Sequence, residues 1–190
     1  SGSQSILDAM EKGTTVEEIH AAARRLRSAG VKVGLFLQFG YVGETDDDIQ
    51  ATLKLVDDVL PDDIGISVAY PLPGTRFHDR VKDEMGRSKN WRDSSDLAML
   101  FKSRHTTAYY RRLHAYAHAR FRLARALRTH ARPAWRRPFL IARYLVARAI
   151  ARAALALASR DRVRVRPLAP ELSRKSAATP VPGLVRPTES

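Results

Sequence analysis

The chain has 190 residues, with 33 Lys and Arg against 20 Asp and Glu, a net charge of +13 at pH 7, and no cysteine. The lack of cysteine excludes a disulfide framework and any thiolate metal site within these residues, and no secretory signal opens the chain. Length fits one sizeable domain, yet the charge divides it in two: residues 1–100 carry 12 basic and 17 acidic side chains, residues 101–190 carry 21 and 3.

In chain order, the first half has an α/β rhythm. Thr15 followed three residues later by Glu18 is a capping-box signature, and Val16, Ile19, Ala22, Ala23 and Leu26 recur at helical spacing. This predicts a helix over about 15–28, stopped by Gly30. Val31 to Phe39 reads as an apolar strand. Thr45 with Asp46, Asp47 and Asp48 starts a helix striped by Ile49, Leu53, Val56 and Leu60 and closed by Pro61; the acids favour its positive N-terminal end. Ile64 to Tyr70 is a second strand and runs into Pro71-Leu72-Pro73-Gly74-Thr75. Near-continuous apolar strands separated by helices imply a parallel sheet covered by helices, and right-handed crossovers make it part of a barrel. Sites in such barrels lie at the carboxyl ends of the strands.

The second half reads as basic helices. Ser94 or Ser95 is placed to cap a helix from about Asp96 to Ala131, with Leu113, Tyr116, Ala117, Phe121, Ala124 and Leu127 on one stripe. Pro133 breaks it. Pro138 begins another helix, with Phe139, Val146, Ile150 and Leu157 on one stripe, Arg148 and Arg152 opposite, and Arg143 near the stripe's edge. Residues 160–190 hold five of the ten prolines and no apolar period, the pattern of a disordered tail.

The stretch 139–158 is long enough to span a bilayer core. Three arginines near its middle cost roughly 7 to 10 kcal/mol on the insertion scale, while eight Leu, Ile, Phe and Val residues return only about 2 to 5. A helix lying on a membrane surface, or packed on the barrel, is therefore expected over a spanning one. Three readings stay open for the basic half: a solvated face in an Ala/Arg-biased chain, an anionic membrane surface, or nucleic acid. No RNA-binding signature accompanies the last, and nucleic acid is not an expected partner. His114 and His118 share a helix face at the spacing of two metal ligands, but no third ligand stands beside them in sequence, and no metal site is assigned. Tyr109 and Tyr110 read as packing residues.

Residues 34–44, GLFLQFGYVGE, carry the strand into a glycine-hinged loop that ends on a carboxylate. Gly40 and Gly43 permit turns and close approach of a ligand to the backbone. Glu44 either caps the following helix or fixes the loop. Gln38 offers an amide at the strand's end, useful if it points into the barrel and a polar surface residue if it points out. Pro71 and Pro73 stiffen the next exit, where a plain turn with Thr75 starting a helix stands beside ligand contact.

Three motifs in order and spacing over about residues 1–100 resemble the second half of the radical S-adenosylmethionine (SAM) barrel, in the subgroup that often carries a cobalamin-binding domain. Ser1-Gly2-Ser3-Gln4 is similar to the family's Glu-Ser-Gly-Ser-like strand end, before a helix that begins near Lys12-Gly13-Thr14. Gly40 and Glu44 fit a GxIxGxxxE-like motif, in which Phe36 and Gln38 replace the first Gly and the Ile. Pro71 to Thr75 matches a Pro-x-Pro-Gly-Thr turn. The resemblance implies late strands and helices of a partial, TIM-like (β/α) barrel over 1–95, a basic α-helical extension over 96–159 and a tail over 160–190. It implies that Ser3, Gln38, Gly40, Glu44, Tyr70 and Leu72 serve cofactor binding, with no catalytic residue assigned. The implied chemistry is reductive cleavage of SAM to a 5′-deoxyadenosyl radical by a 4Fe-4S cluster, with cobalamin used in the subgroup for methyl transfer or ring formation. Such clusters are held by cysteine thiolates. Without them, this chain is expected to be the C-terminal part of a longer enzyme, with the missing N-terminal part as its first partner and inactive alone. A non-catalytic remnant, or a basic module binding membrane or partner, is the alternative. The expected substrate is a small or lipid-like molecule, and the expected setting is the cytoplasm or the periphery of the inner membrane.

Overall fold

The computed structural model describes residues 1–85, 97–128 and 137–160. Local side chains set the first elements. A short helix, α1 (Gln4–Ala9), buries Ile6, Leu7 and Ala9; the sequence pattern did not announce it. The second, α2 (Val16–Ser28), starts at Thr15, whose hydroxyl accepts from the Glu18 N–H while the Glu18 carboxylate accepts from the Thr15 N–H. The same reciprocal box, Thr45 with Asp48, opens α3 (Asp46–Val59), so each helix satisfies two of its own unpaired N–H groups. Leu60 ends α3 in the left-handed region at φ +45, and Pro61 follows.

Strand β1 (Gly34–Phe39) pairs in parallel with β2 (Asp63–Val68), from Gly34 opposite Asp63 to Phe39 opposite Val68. Contacts prolong the pairing at both ends: the Asp62 N–H donates to the Val33 carbonyl at 2.7 Å, and the Ala69 N–H to the Phe39 carbonyl at 2.7 Å. The expected 31–39 strand thus begins three residues late, and the 64–70 strand shifts to 63–68. The architecture is α/β, but among the described residues the sheet has two strands and does not close into the expected barrel.

After β2 come α4 (Arg76–Val81), capped by Thr75, and a 3₁₀ turn over Lys82–Glu84. The long helix expected to start at Asp96 starts instead at Thr107: α5 spans Thr107–Arg128. Residues 97–106 are an irregular segment tied down by side chains, with the Met99 N–H donating to the Thr107 hydroxyl at 3.0 Å and Ser103 bonded to the Tyr110 hydroxyl at 2.8 Å. The last helix, α6, covers Arg137–Ala158, as its early proline predicts. The expected caps Ser94 and Ser95, the break at Pro133, the boundary near 95 and the tail beyond 160 lie outside the described residues.

One core joins the two halves. Leu37 and Phe39 of β1 meet Ile49, Leu53 and Val56 of α3 and Tyr110, Leu113 and Phe121 of α5, and Leu155 of α6 closes it. The helices therefore cover one face of the sheet. Among the described residues no helix covers the other face at Phe36, which is 77% exposed and lies over Gly65, where a Cβ would come within 2.7 Å of its ring. A sheet face carrying an exposed phenylalanine lacks the layer that α/β architectures normally place there.

Candidate functional site

Both strands discharge at the same edge of the sheet, because they are parallel and in register. Beyond Phe39 the chain turns through Gly40 at φ +78 and Gly43 at φ +83, values that only glycine adopts without cost. The Gly40 N–H donates to Glu44 Oε2 at 2.6 Å, and the Glu44 N–H donates to the Tyr41 carbonyl at 3.0 Å. Glu44 is therefore a clamp across its own loop, and the cap of α3 is Thr45 beside it. The clamp is only 3% exposed and its Oε1 meets no partner. Burial pushes the carboxyl up to about 8, against the opposing pull of the Gly40 N–H.

Above this loop lies a cleft of about 450 Å³, lined among others by Met10, Gln38, Tyr41, Tyr70, Leu72 and Phe77. Gln38 is half-buried and alternates with the covered Leu37 and Phe39, which puts it on the bare side of the sheet. Tyr41 stacks on Phe77 with ring centroids 4.6 Å apart and donates its hydroxyl to the Ala9 carbonyl at 2.8 Å. Burial raises the Tyr41 hydroxyl's pKa, while Arg80, 3.3 Å away, opposes the shift. At the mouth Arg76 pairs with Glu11 at 3.2 Å. The arrangement offers aromatic and apolar walls, one neutral amide and cations at the rim, a combination suited to an organic molecule with a flat ring and an anionic end.

Of the six residues singled out in the sequence, Gln38, Tyr70 and Leu72 line this cleft, and Ser3, Gly40 and Glu44 are buried outside its lining. Ser3 is engaged internally, its hydroxyl bonded to Ser5 at 2.9 Å and to the Asp48 carboxylate. At Gly40 the space for a Cβ is closed by this chain itself, by Met99 Sδ at 3.0 Å and the Tyr110 ring at 3.2 Å. The close approach expected there is thus to the protein's own core. Sequence reasoning missed Tyr41, Phe77 and Arg80. The i, i+4 spacing of Arg76 and Arg80 was a visible signal; the stacking of Tyr41 on Phe77 was not, since it joins a residue of the loop after β1 to one on α4.

For a 4Fe-4S cluster the donor set does not fit, because no residue here supplies a thiolate. For a nucleoside-type cofactor the cleft does fit, through its stacked aromatics and the Gln38 amide. The rings of His114 and His118 lie 4.4 Å apart, and among the described residues no group of three metal-binding side chains includes them.

No family model matches the chain. It is similar to tRNA-2-methylthio-N(6)-dimethylallyladenosine synthases. With that of Nitrosomonas eutropha it shares 38% identity over 91 residues, covering 47% of this chain and 20% of the relative. With that of Nitrosomonas europaea it shares 42% over 81 residues, covering 42% and 18%, and with that of Leptothrix cholodnii 41% over 89 residues, covering 44% and 19%. The chain spans about a fifth of the length of the curated relatives it matches. Those relatives are radical SAM enzymes that use SAM and a 4Fe-4S cluster.

Proposed function

We propose that this chain, a relative of radical S-adenosylmethionine enzymes, supplies the late strands and the cofactor-side rim of such an enzyme, whose other strands lie outside the described residues. The bare sheet face carries the reading: Phe36, lying over Gly65, and Gln38 form a surface that needs a covering layer, and further strands of a barrel would turn it into a lumen. The kinship over nearly half the chain supports the same class of chemistry.

In this reading SAM, when bound, is the source of the 5′-deoxyadenosyl group. Gln38 hydrogen-bonds the cofactor from the strand end, while Tyr41 and Tyr70 wall the adenine. Glu44, kept protonated at neutral pH by burial, fixes the loop through Gly40 without adding a negative charge to the site. The cluster belongs to a part of the protein with cysteine thiolates, and no step through it is assigned to these residues. The cobalamin expectation finds no support in the relatives and is not carried further. The substrate we infer is a small or lipid-like organic molecule in the cytoplasm. A second reading, tRNA as in the relatives' names, draws on the basic half of the chain.

The test uses the intact protein carrying this chain, anaerobically reconstituted. Reduction should release 5′-deoxyadenosine from SAM. Gln38→Leu should weaken SAM binding about tenfold, the scale of one lost buried hydrogen bond, with iron content and unfolding midpoint unchanged. Unaltered SAM affinity in both Gln38→Leu and Tyr70→Ala would sink the site assignment.

A further inference from the structure

Helix α6 has two apolar faces, and among the described residues only one of them is covered. Leu155 and Ala158 are buried against α5, with Ala151 packed beside them. The opposite side presents Phe139 at 77% exposure, Val146 at 59%, Ile150 at 66% and Leu157 at 60%, with Leu145 at 50% beside them. The spacing of Phe139, Val146, Ile150 and Leu157, seven, four and seven residues, makes one continuous stripe along the helix, filled in by Ala142, Ala149 and Ala153. So many large apolar side chains in a row on a surface mark a binding face.

The charges around the stripe say what it binds. Leu145 widens the apolar face, so that Arg143 borders it on one side and Arg152, opposite the narrower stripe of Phe139, Val146, Ile150 and Leu157, flanks its Leu145 edge; both arginines are exposed. Arg148 and Arg152 also line a cleft of about 780 Å³ between α6, α5 and α3, and among the described residues neither makes an ion pair. The sequence from 97 to 160 contains no Asp or Glu. A second α6 laid on the stripe would bring arginine against arginine with no acid to offset them. An anionic bilayer offers hydrocarbon for the stripe and phosphate for its borders. A spanning arrangement is not available, since no helix of the described residues is long and apolar enough to cross a membrane.

We propose that the bare face of α6 docks the protein on an anionic membrane surface, with the stripe sunk at the boundary of headgroups and acyl chains and Arg143 and Arg152 at the phosphates. The inference does not depend on the SAM reading, because α6 contributes no residue to the Gln38 cleft. It gives the protein direct access to lipid-like substrates.

The experiment is vesicle cosedimentation of the intact protein, comparing phosphatidylcholine vesicles with mixed phosphatidylcholine and phosphatidylglycerol vesicles. Binding should require phosphatidylglycerol and weaken as salt rises, since each basic group contributes through a screened attraction. The double variant Val146→Asp, Ile150→Asp should bind at least about tenfold more weakly, as expected for losing two inserted apolar side chains. Both positions are exposed, so its circular dichroism and unfolding midpoint should match the parent, and cofactor binding should be unchanged. Four outcomes would overturn the proposal: equal binding to neutral vesicles, vesicle binding untouched by the double variant, no vesicle binding with a self-association that the double variant abolishes, or no vesicle binding with capture of tRNA instead.

Discussion

The α/β half and the basic helical half of this protein are made by different rules. In the first, each helix carries its own start signal: Thr15 with Glu18, Thr45 with Asp48, and Thr75 accepting from the His78 N–H. In the second, the start of α5 is set by what the preceding segment touches, as His105 bonds Asp46 at 2.7 Å across the halves and stacks on Tyr109 at 3.7 Å. The charge that divides the sequence joins it in space. Arg120 pairs with Asp57 at 2.6 Å, Arg128 donates to the Asp57 carbonyl, and Arg125 donates to the Asp62 carbonyl. Helix α5 thus places its cations on the acidic side of α3, while Arg148 and Arg152 of α6 line the same cleft as Asp46 and Asp57 and, among the described residues, form no ion pair with them.

If α5 belongs to the core and the outer side of α6 does not, the two helices must answer truncation differently. Leu113→Ala, at a residue 1% exposed, should cost about 2 to 5 kcal/mol in urea unfolding. Ile150→Ala, at 66% exposure, should stay within about 0.5 kcal/mol. Equal losses would mean that the outer face of α6 is covered.

The Glu44 clamp sharpens the contrast by pH. Its carboxyl is raised from 4.5 to about 8 by burial, so the folded protein holds a proton that the unfolded chain releases at lower pH. Its contribution is complete below about pH 4.5 and is lost as pH rises through about 8, a change of a few kcal/mol. Glu44→Gln, which stays neutral, should flatten the stability profile between those limits in chemical denaturation. A slope left intact would place the titrating group elsewhere.

The smallest effect concerns the local start signals. Thr45→Ala removes the hydroxyl that accepts from the Asp48 N–H and should cost about 1 kcal/mol. Thr107, at the start of α5, instead accepts from the Met99 N–H. Its replacement by Ala should raise amide exchange in residues 97–106 while leaving exchange in α3 unchanged, whereas Thr45→Ala should do the reverse.

The legibility of the fold follows this contrast. Helices α2 and α3 were readable to within a residue, because a capping box is a bond between residues three apart. Helix α6 was readable because Pro138 tolerates only a helix's first turn. The start of α5 was missed by eleven residues, because Leu113, Tyr116 and Phe121 fix a helical period without fixing where it begins. Within the site, Gly40 and Glu44 could be recognised as a hinge and its carboxylate. That Glu44 clamps the Gly40 N–H, and that Met99 and Tyr110 fill the space beside Gly40, required α5 to be in place.

By itself the sequence determined the periods, the caps, the glycine hinge and the division of charge, since each depends on residues a few positions apart or on composition alone. Only the tertiary structure decided that one sheet face and one side of α6 are left bare. Exposure depends on which apolar stripe finds a partner, and α6 carries two stripes that its sequence does not rank. Packing against α5 took the stripe of Leu155 and Ala158 and turned Phe139, Val146 and Ile150 outward, where they are free to meet something other than this chain.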